Sequence, residues 1–166
     1  DDLERVAAAG KMAHAGAAAI EAVLPGAEPD AARELALRAA RLYETAPADL
    51  VGAERLYQRV LESDAENIDA LGALEALYRS AGPPASAHLA SILERRAGIE
   101  LDPQARRKRL GEAARLHEQR GDVAAAIGAW QTLRAAEEGD AEALGELARL
   151  FEAAGHAGAH LPTHQE

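Results

Sequence analysis

The chain has no cysteine, which removes disulfides, a thiol nucleophile and cysteine-ligated zinc and leaves the redox compartment open. Aromatic residues make up only 3% of it, with one tryptophan, one phenylalanine and three tyrosines. Sheets draw on aromatic and β-branched residues, whereas alanine, roughly a quarter of this chain, is the best helix former. An all-α fold follows. Positive charge is also short. The net charge of -10 argues against nucleic acid or an anionic membrane as partner, because both demand a basic surface. No apolar run approaches the ~18 residues of a membrane span, and Glu21 interrupts the stretch from Ala17 to Leu24. The sequence opens at Asp1 without a methionine or a basic-then-apolar leader, which predicts a processed chain or, the favoured reading, a piece excised from a longer one. Its alanine and arginine richness is of the kind encoded by high-GC bacterial genomes.

What is present is a succession of amphipathic segments. Hydrophobic residues at 48% over 166 positions suffice for one domain or a stack of hairpins. Leu3 to Gly10 and Ala13 to Leu24 read as two helical pieces punctuated by Gly10 and stopped by Pro25-Gly26. Asp30 after Pro29 is the expected N-cap of a helix through Leu35, Ala36, Ala39, Ala40, Leu42 and Tyr43, which breaks at Pro47. Asp49 caps its partner, with Ala53, Leu56, Tyr57, Val60 and Leu61 on one stripe. Asp64 is the expected cap of the next helix, with Leu71, Leu74, Leu77 and Tyr78, closed by Gly82 and turned by Pro83-Pro84. Leu89, Ile92 and Leu93 mark its partner. Asp102 and Pro103 then open a further helix as N-cap and N1.

The stretch from Lys108 to Gly155 shows the strongest internal order. Leu110, Ala114, His117 and Gly121 are echoed by Leu144, Ala148, Phe151 and Gly155, at an interval of about 34 residues. Breaks at Gly10, Pro47, Gly82, Gly121 and Gly155 recur every roughly 34 to 39 residues. A longer echo relates Ala39-Ala40-Arg41-Leu42 to Ala113-Ala114-Arg115-Leu116, and Tyr57-Gln58 to Trp130-Gln131. The set Leu110, Gly121, Ala126 and Trp130 resembles the large-small-small-aromatic pattern of the tetratricopeptide repeat (TPR) family. Alanine replaces that family's inner glycine at Ala114, His117 stands at a usual tyrosine, and Glu75 occupies a small crossing position, departures that predict an irregular superhelical pitch.

The resemblance implies a TPR-like solenoid of stacked antiparallel helical hairpins. Its expected divisions are a degenerate N-terminal hairpin over 1–28, repeats over 29–65, 66–101 and 102–139, and a partial repeat with a frayed tail over 140–166. It also implies a protein-protein interaction scaffold rather than an enzyme, with a groove lined by the first helix of each hairpin and holding a peptide or partner domain. The family's chaperone-tail clamp is not matched, since Gly111, Arg115, Gly145 and Arg149 stand at its positions.

Arg41, Arg115 and Arg149 share one register of three first helices, each followed three residues on by Glu44, Glu118 or Glu152. Guanidinium suits bidentate capture of carboxylate, which makes these arginines the candidate partner-binding residues for an acidic peptide. The plainer expectation is pairing within each helix at i+3, worth about 0.2–0.5 kcal/mol. Trp130 is the expected anchor between helices. The basic run Arg106 to Arg109 reads as a solvated helix face, because Asp102 and Glu112 flank it and no aromatic interleaves for base stacking. His156, His160 and His164 fall four apart, yet Gly158 and Pro162 weaken any helix that would bring them to a metal. No cofactor is expected. An α-helical hydrolase or metal-dependent enzyme using carboxylates and histidines is the alternative reading. The last first-helix, Asp140 to Ala154, lacks a partner in the sequence after it, so its face around Leu147 and Phe151 predicts self-association or cover by a further helix of a parent chain.

Overall fold

The computed structural model describes residues 2–45, 48–137 and 139–159. Among these residues every regular element is a helix, as the composition requires. The chain forms two compact units that meet in sequence at Ala81 and Gly82. The division falls inside the expected 66–101 repeat and places its two helices in different units.

In the first unit α1 (Asp2–Val23), α2 (Pro29–Tyr43), α3 (Leu50–Ser63) and α4 (Ile68–Ala81) pack in chain order, each on the next. α1 is a correction to the expected N-terminal hairpin. It is one helix of 22 residues, and Gly10 is buried within it rather than breaking it. A glycine inside a helix costs only about 1 kcal/mol against alanine, and the alanines around it carry the helix through. A 3-10 turn at Leu24–Gly26 ends it. Pro29 takes the N1 position of α2, so Glu28 is the N-cap and Asp30 lies in the first turn, paired with Arg33 at 2.8 Å. That displaces the expected cap by two residues. Asp49 caps α3 as its position predicts, accepting from the Gly52 N–H at 2.9 Å. The cap of α4 is Asn67, which accepts from the Ala70 N–H at 3.0 Å. Asp64 closes α3 instead and holds the Asn67 amide at 2.9 Å. Leu56, Tyr57, Leu71 and Leu74 fill the core of this unit.

The second unit comprises α5 (Ser86–Ile99), α6 (Pro103–Gln119), α7 (Val123–Ala136) and α8 (Ala141–Ala159), again packed in chain order. Asp102, Asp122 and Asp140 cap α6, α7 and α8 through hydrogen bonds to backbone N–H groups. Gly82 and Gly121 take φ of 71° and 75°, the left-handed turn that glycine adopts without steric cost. Gly155 lies inside α8, so the expected break there is absent. Trp130 is fully buried at the centre of a cluster with Leu110, Ala114, Leu133, Leu147 and Leu150. This is the position that its register predicts. The echoed positions of α6 and α8 are covered differently. Leu110 and Ala114 are buried, whereas Leu144 is 46% and Phe151 52% exposed.

Candidate functional site

The three candidate arginines all keep more than half of their side-chain surface exposed, and all are paired. None relies on a glutamate three residues ahead. In the first unit Arg41 of α2 donates to Asp69 of α4 at 3.2 Å. In the second unit Arg115 of α6 donates to Glu142 of α8, and Arg149 of α8 donates to Glu118 of α6 and to Glu146. The expected pairing with the glutamate three residues on is therefore corrected, although Arg149 does pair within its own helix, with Glu146 three residues back: packing brings a first-helix carboxylate 27 to 31 residues away within reach of each arginine.

The glutamates of the Arg-x-x-Glu pattern have a different task. Glu44 accepts the Tyr57 hydroxyl at 2.7 Å, and Glu118 accepts the Trp130 indole N–H at 3.4 Å. Each tethers the aromatic residue of the following helix. Burial, reinforced by the Glu44 hydrogen bond, pushes the Tyr57 hydroxyl well above its ordinary value. The Tyr78 hydroxyl is pushed up to about 12 in the same way, by burial and then by its bond to Glu54. The sequence held part of this signal, since Tyr57 and Trp130 follow Glu44 and Glu118 by 13 and 12 residues, but a similar spacing does not say which side chains touch.

The basic run is largely consumed within the chain rather than solvated. Arg106 donates to the Glu100 carbonyl at 2.5 Å, Arg109 to the Glu100 carboxylate, and Arg107 to both Asp140 and Glu142. The Arg107 guanidinium, with the Ala143 N–H second, holds the Asp140 carboxyl below its usual range. Lys108 has no ion-pair partner among the described residues. His117, expected as a packing residue, places Nε2 3.1 Å from Glu94. His14 lies beside Tyr43, ring centroids 5.5 Å apart. The side chain of His156, together with His160 and His164, lies outside the described residues, and no group of three metal-ligating side chains occurs among those described.

Two open clefts mark the second unit. One, of about 660 Å³, runs between α5 and α7 over Leu110, with walls of small residues that include Ala97, Gly98, Ala125, Gly128 and Ala129. The other, of about 640 Å³, is polar and lies where α6 faces the end of α7 and the start of α8. Gln104, Arg107, Lys108, Gly111 and Arg115 form one wall, and Glu137 and Glu142 the other. Gly111 is buried against the Trp130 ring, which a Cβ there would touch at 3.5 Å. The Arg115 guanidinium stands 5.6 Å from the centroid of the same ring, within cation–π range. Glu137 brings a buried carboxylate oxygen, Oε1, with no hydrogen-bond partner among the described residues, and its charge acts on Arg107. No helix is long and apolar enough to cross a membrane among the described residues. No protein-family model, curated protein sequence or solved structure matches this chain.

Proposed function

We propose that the chain is a protein-interaction module, a TPR-like array of helical hairpins without catalytic activity of its own, that binds an acidic peptide or partner domain along its first helices. The observation that supports this reading is the recurrence of one device in both units. A first-helix arginine, Arg41 or Arg115, reaches the next first helix, and the glutamate three residues on holds the aromatic residue of the second helix. Each unit by itself thus presents a cation-bearing first-helix face, the feature that an acidic segment would meet. Both clefts of the second unit are open. The groups with displaced pKa values, such as Asp140 and Arg149, sit in ion pairs that join helices, not in an enclosed catalytic pocket.

Replacing both Arg115 and Arg149 by alanine is expected to leave helicity intact. It should weaken binding of a fluorescent poly-glutamate peptide at least tenfold by anisotropy, with binding of the parent chain falling steeply as salt rises. Equal binding by the double variant would remove the arginines from the interface. Both guanidiniums must exchange a carboxylate of their own chain for one of the partner's, so the affinity per contact is modest.

The stripe of Leu144 and Phe151 on α8 gives a second place for a partner, a further helix or a second copy of the chain. Leu147, expected on the same face, is buried against its own unit. Phe151→Glu is expected to shift the chain toward monomer in sedimentation velocity if that stripe self-associates. An identical sedimentation profile at every concentration would leave the stripe to a different chain.

A further inference from the structure

We infer that the apolar cleft between α5 and α7 binds a medium-chain fatty acid, with its carboxylate on Arg106 and its alkyl chain lying over Leu110 toward His117. Arg106, Leu110 and His117 line the cleft from one stripe of α6, and the helix rise of 1.5 Å per residue separates the first from the last by about 16 Å. α7 returns antiparallel after a short turn, so Ala136 stands at the Arg106 end and Ala125 at the His117 end. The two ends differ in charge. At one, the Arg106 guanidinium donates through Nε and Nη2 to the Glu100 carbonyl at 3.2 and 2.5 Å. A neutral carbonyl fixes the guanidinium without neutralising it, and Arg106 meets no carboxylate among the described residues. The Glu100 carboxylate turns to Arg109 instead. At the other end Glu94 stands 3.1 Å from His117 Nε2.

A held, uncompensated guanidinium at one end of an apolar trough matches a ligand with one anionic head and one apolar tail. The Arg106 N–H groups not spent on Glu100 can give the head charge-assisted hydrogen bonds. A cationic or uncharged chain gains nothing from them. The Glu94 carboxylate at the far end disfavours an anion there, so the chain lies in one orientation. At about 660 Å³ the cleft falls within the range of small-molecule sites, roughly 300–1,000 Å³. Its length selects the tail, since an extended alkyl chain advances about 1.3 Å per carbon and about ten to twelve carbons span the stripe. A Cβ added at Gly98 on the α5 wall or at Gly128 on the α7 wall would meet no atom within 4 Å, so no neighbouring helix reaches into that space. The site shares no residue with the acidic-peptide reading, which uses Arg41, Arg115 and Arg149.

The full chain is titrated by isothermal calorimetry with hexanoate, octanoate, decanoate and dodecanoate below their micelle concentrations, and with decanol and decyltrimethylammonium as uncharged and cationic chains. Saturable binding of decanoate is expected. Affinity should rise about two- to fourfold with each methylene from hexanoate and level off once the chain outgrows the cleft. Arg106→Met keeps the apolar stem and should weaken decanoate about tenfold or more, leaving the weaker binding of decanol unchanged. Gly128→Leu fills the space from the α7 wall and should abolish binding of both, with helicity by circular dichroism as in the parent chain. The uncharged and cationic chains test the carboxylate on the parent chain itself, whatever Arg106→Met does to folding. No saturable binding of decanoate up to about 1 mM would overturn the proposal and leave the cleft to a helix of another protein. Equal binding of decanol or of the cationic chain, or full decanoate binding by either variant, would overturn it as well.

Discussion

Trp130→Ala is expected to destabilise the chain by about 3–5 kcal/mol, the usual cost of deleting a large buried aromatic. The indole is fully buried among Leu110, Ala114, Leu133, Leu147 and Leu150, so its removal leaves a cavity that α6, α7 and α8 all line. Those neighbours are mostly alanine and leucine on rigid helices, which cannot close the gap without moving backbone. The same change frees Glu118 of the indole N–H and Arg115 of the ring face. Trp130→Phe should cost clearly less, since it keeps most of the apolar volume and loses only the hydrogen bond and part of the ring. Urea unfolding of the two variants measures the difference. An unchanged midpoint for Trp130→Ala would falsify the central place given to this residue.

The second large effect is expected at Asp140, which performs two tasks with one carboxylate. Oδ1 accepts from the Ala143 N–H at 2.9 Å and caps α8, while Oδ2 receives Arg107. The side chain is only 5% exposed. Asp140→Ala loses the cap and one of the two carboxylates on Arg107, an expected cost of about 2 kcal/mol. The ion-pair share is kept small because Arg107 is 43% exposed and screened by solvent. Asp140→Asn keeps an N-cap acceptor and should cost about half as much. Amide exchange along α8 should rise more in the alanine variant than in the asparagine variant.

The pH dependence follows from the sign of the shift. The folded carboxyl of Asp140 titrates below its unfolded value, about 3.9 for a free aspartate. Its stabilisation is therefore complete above that unfolded value and is lost as pH falls through the lower folded one. Stability measured between pH 5 and pH 2 should fall less steeply in Asp140→Asn than in the parent chain. Parallel acid limbs in the two proteins would show that the Arg107 pair contributes nothing.

The tethering glutamates explain why an arginine and a glutamate three apart were legible as a pattern and misleading as a contact. On an isolated helix Arg115 and Glu118 are neighbours, and local spacing predicts their pairing. In the folded unit Glu118 lies between Trp130 and Arg149, and Arg115 reaches Glu142. The polar cleft was hidden for the same reason. Lys108 stood within a run of four basic residues, and nothing in its neighbours distinguished it from Arg106, Arg107 and Arg109, which the fold pairs.

The sequence by itself determined the all-helical class, the caps at Asp49 and Asp102, the turn at Gly82 and the buried place of Trp130. These depend on interactions within a turn or two of helix, or on a hydrophobic period that any packing must respect. Tertiary structure decided whether a glycine breaks a helix or is carried through it, as Gly121 and Gly155 do in turn. It decided that Leu110 is covered while its echo Leu144 is exposed. It also decided which carboxylate each arginine takes, because a long charged side chain chooses among partners that only packing brings within reach.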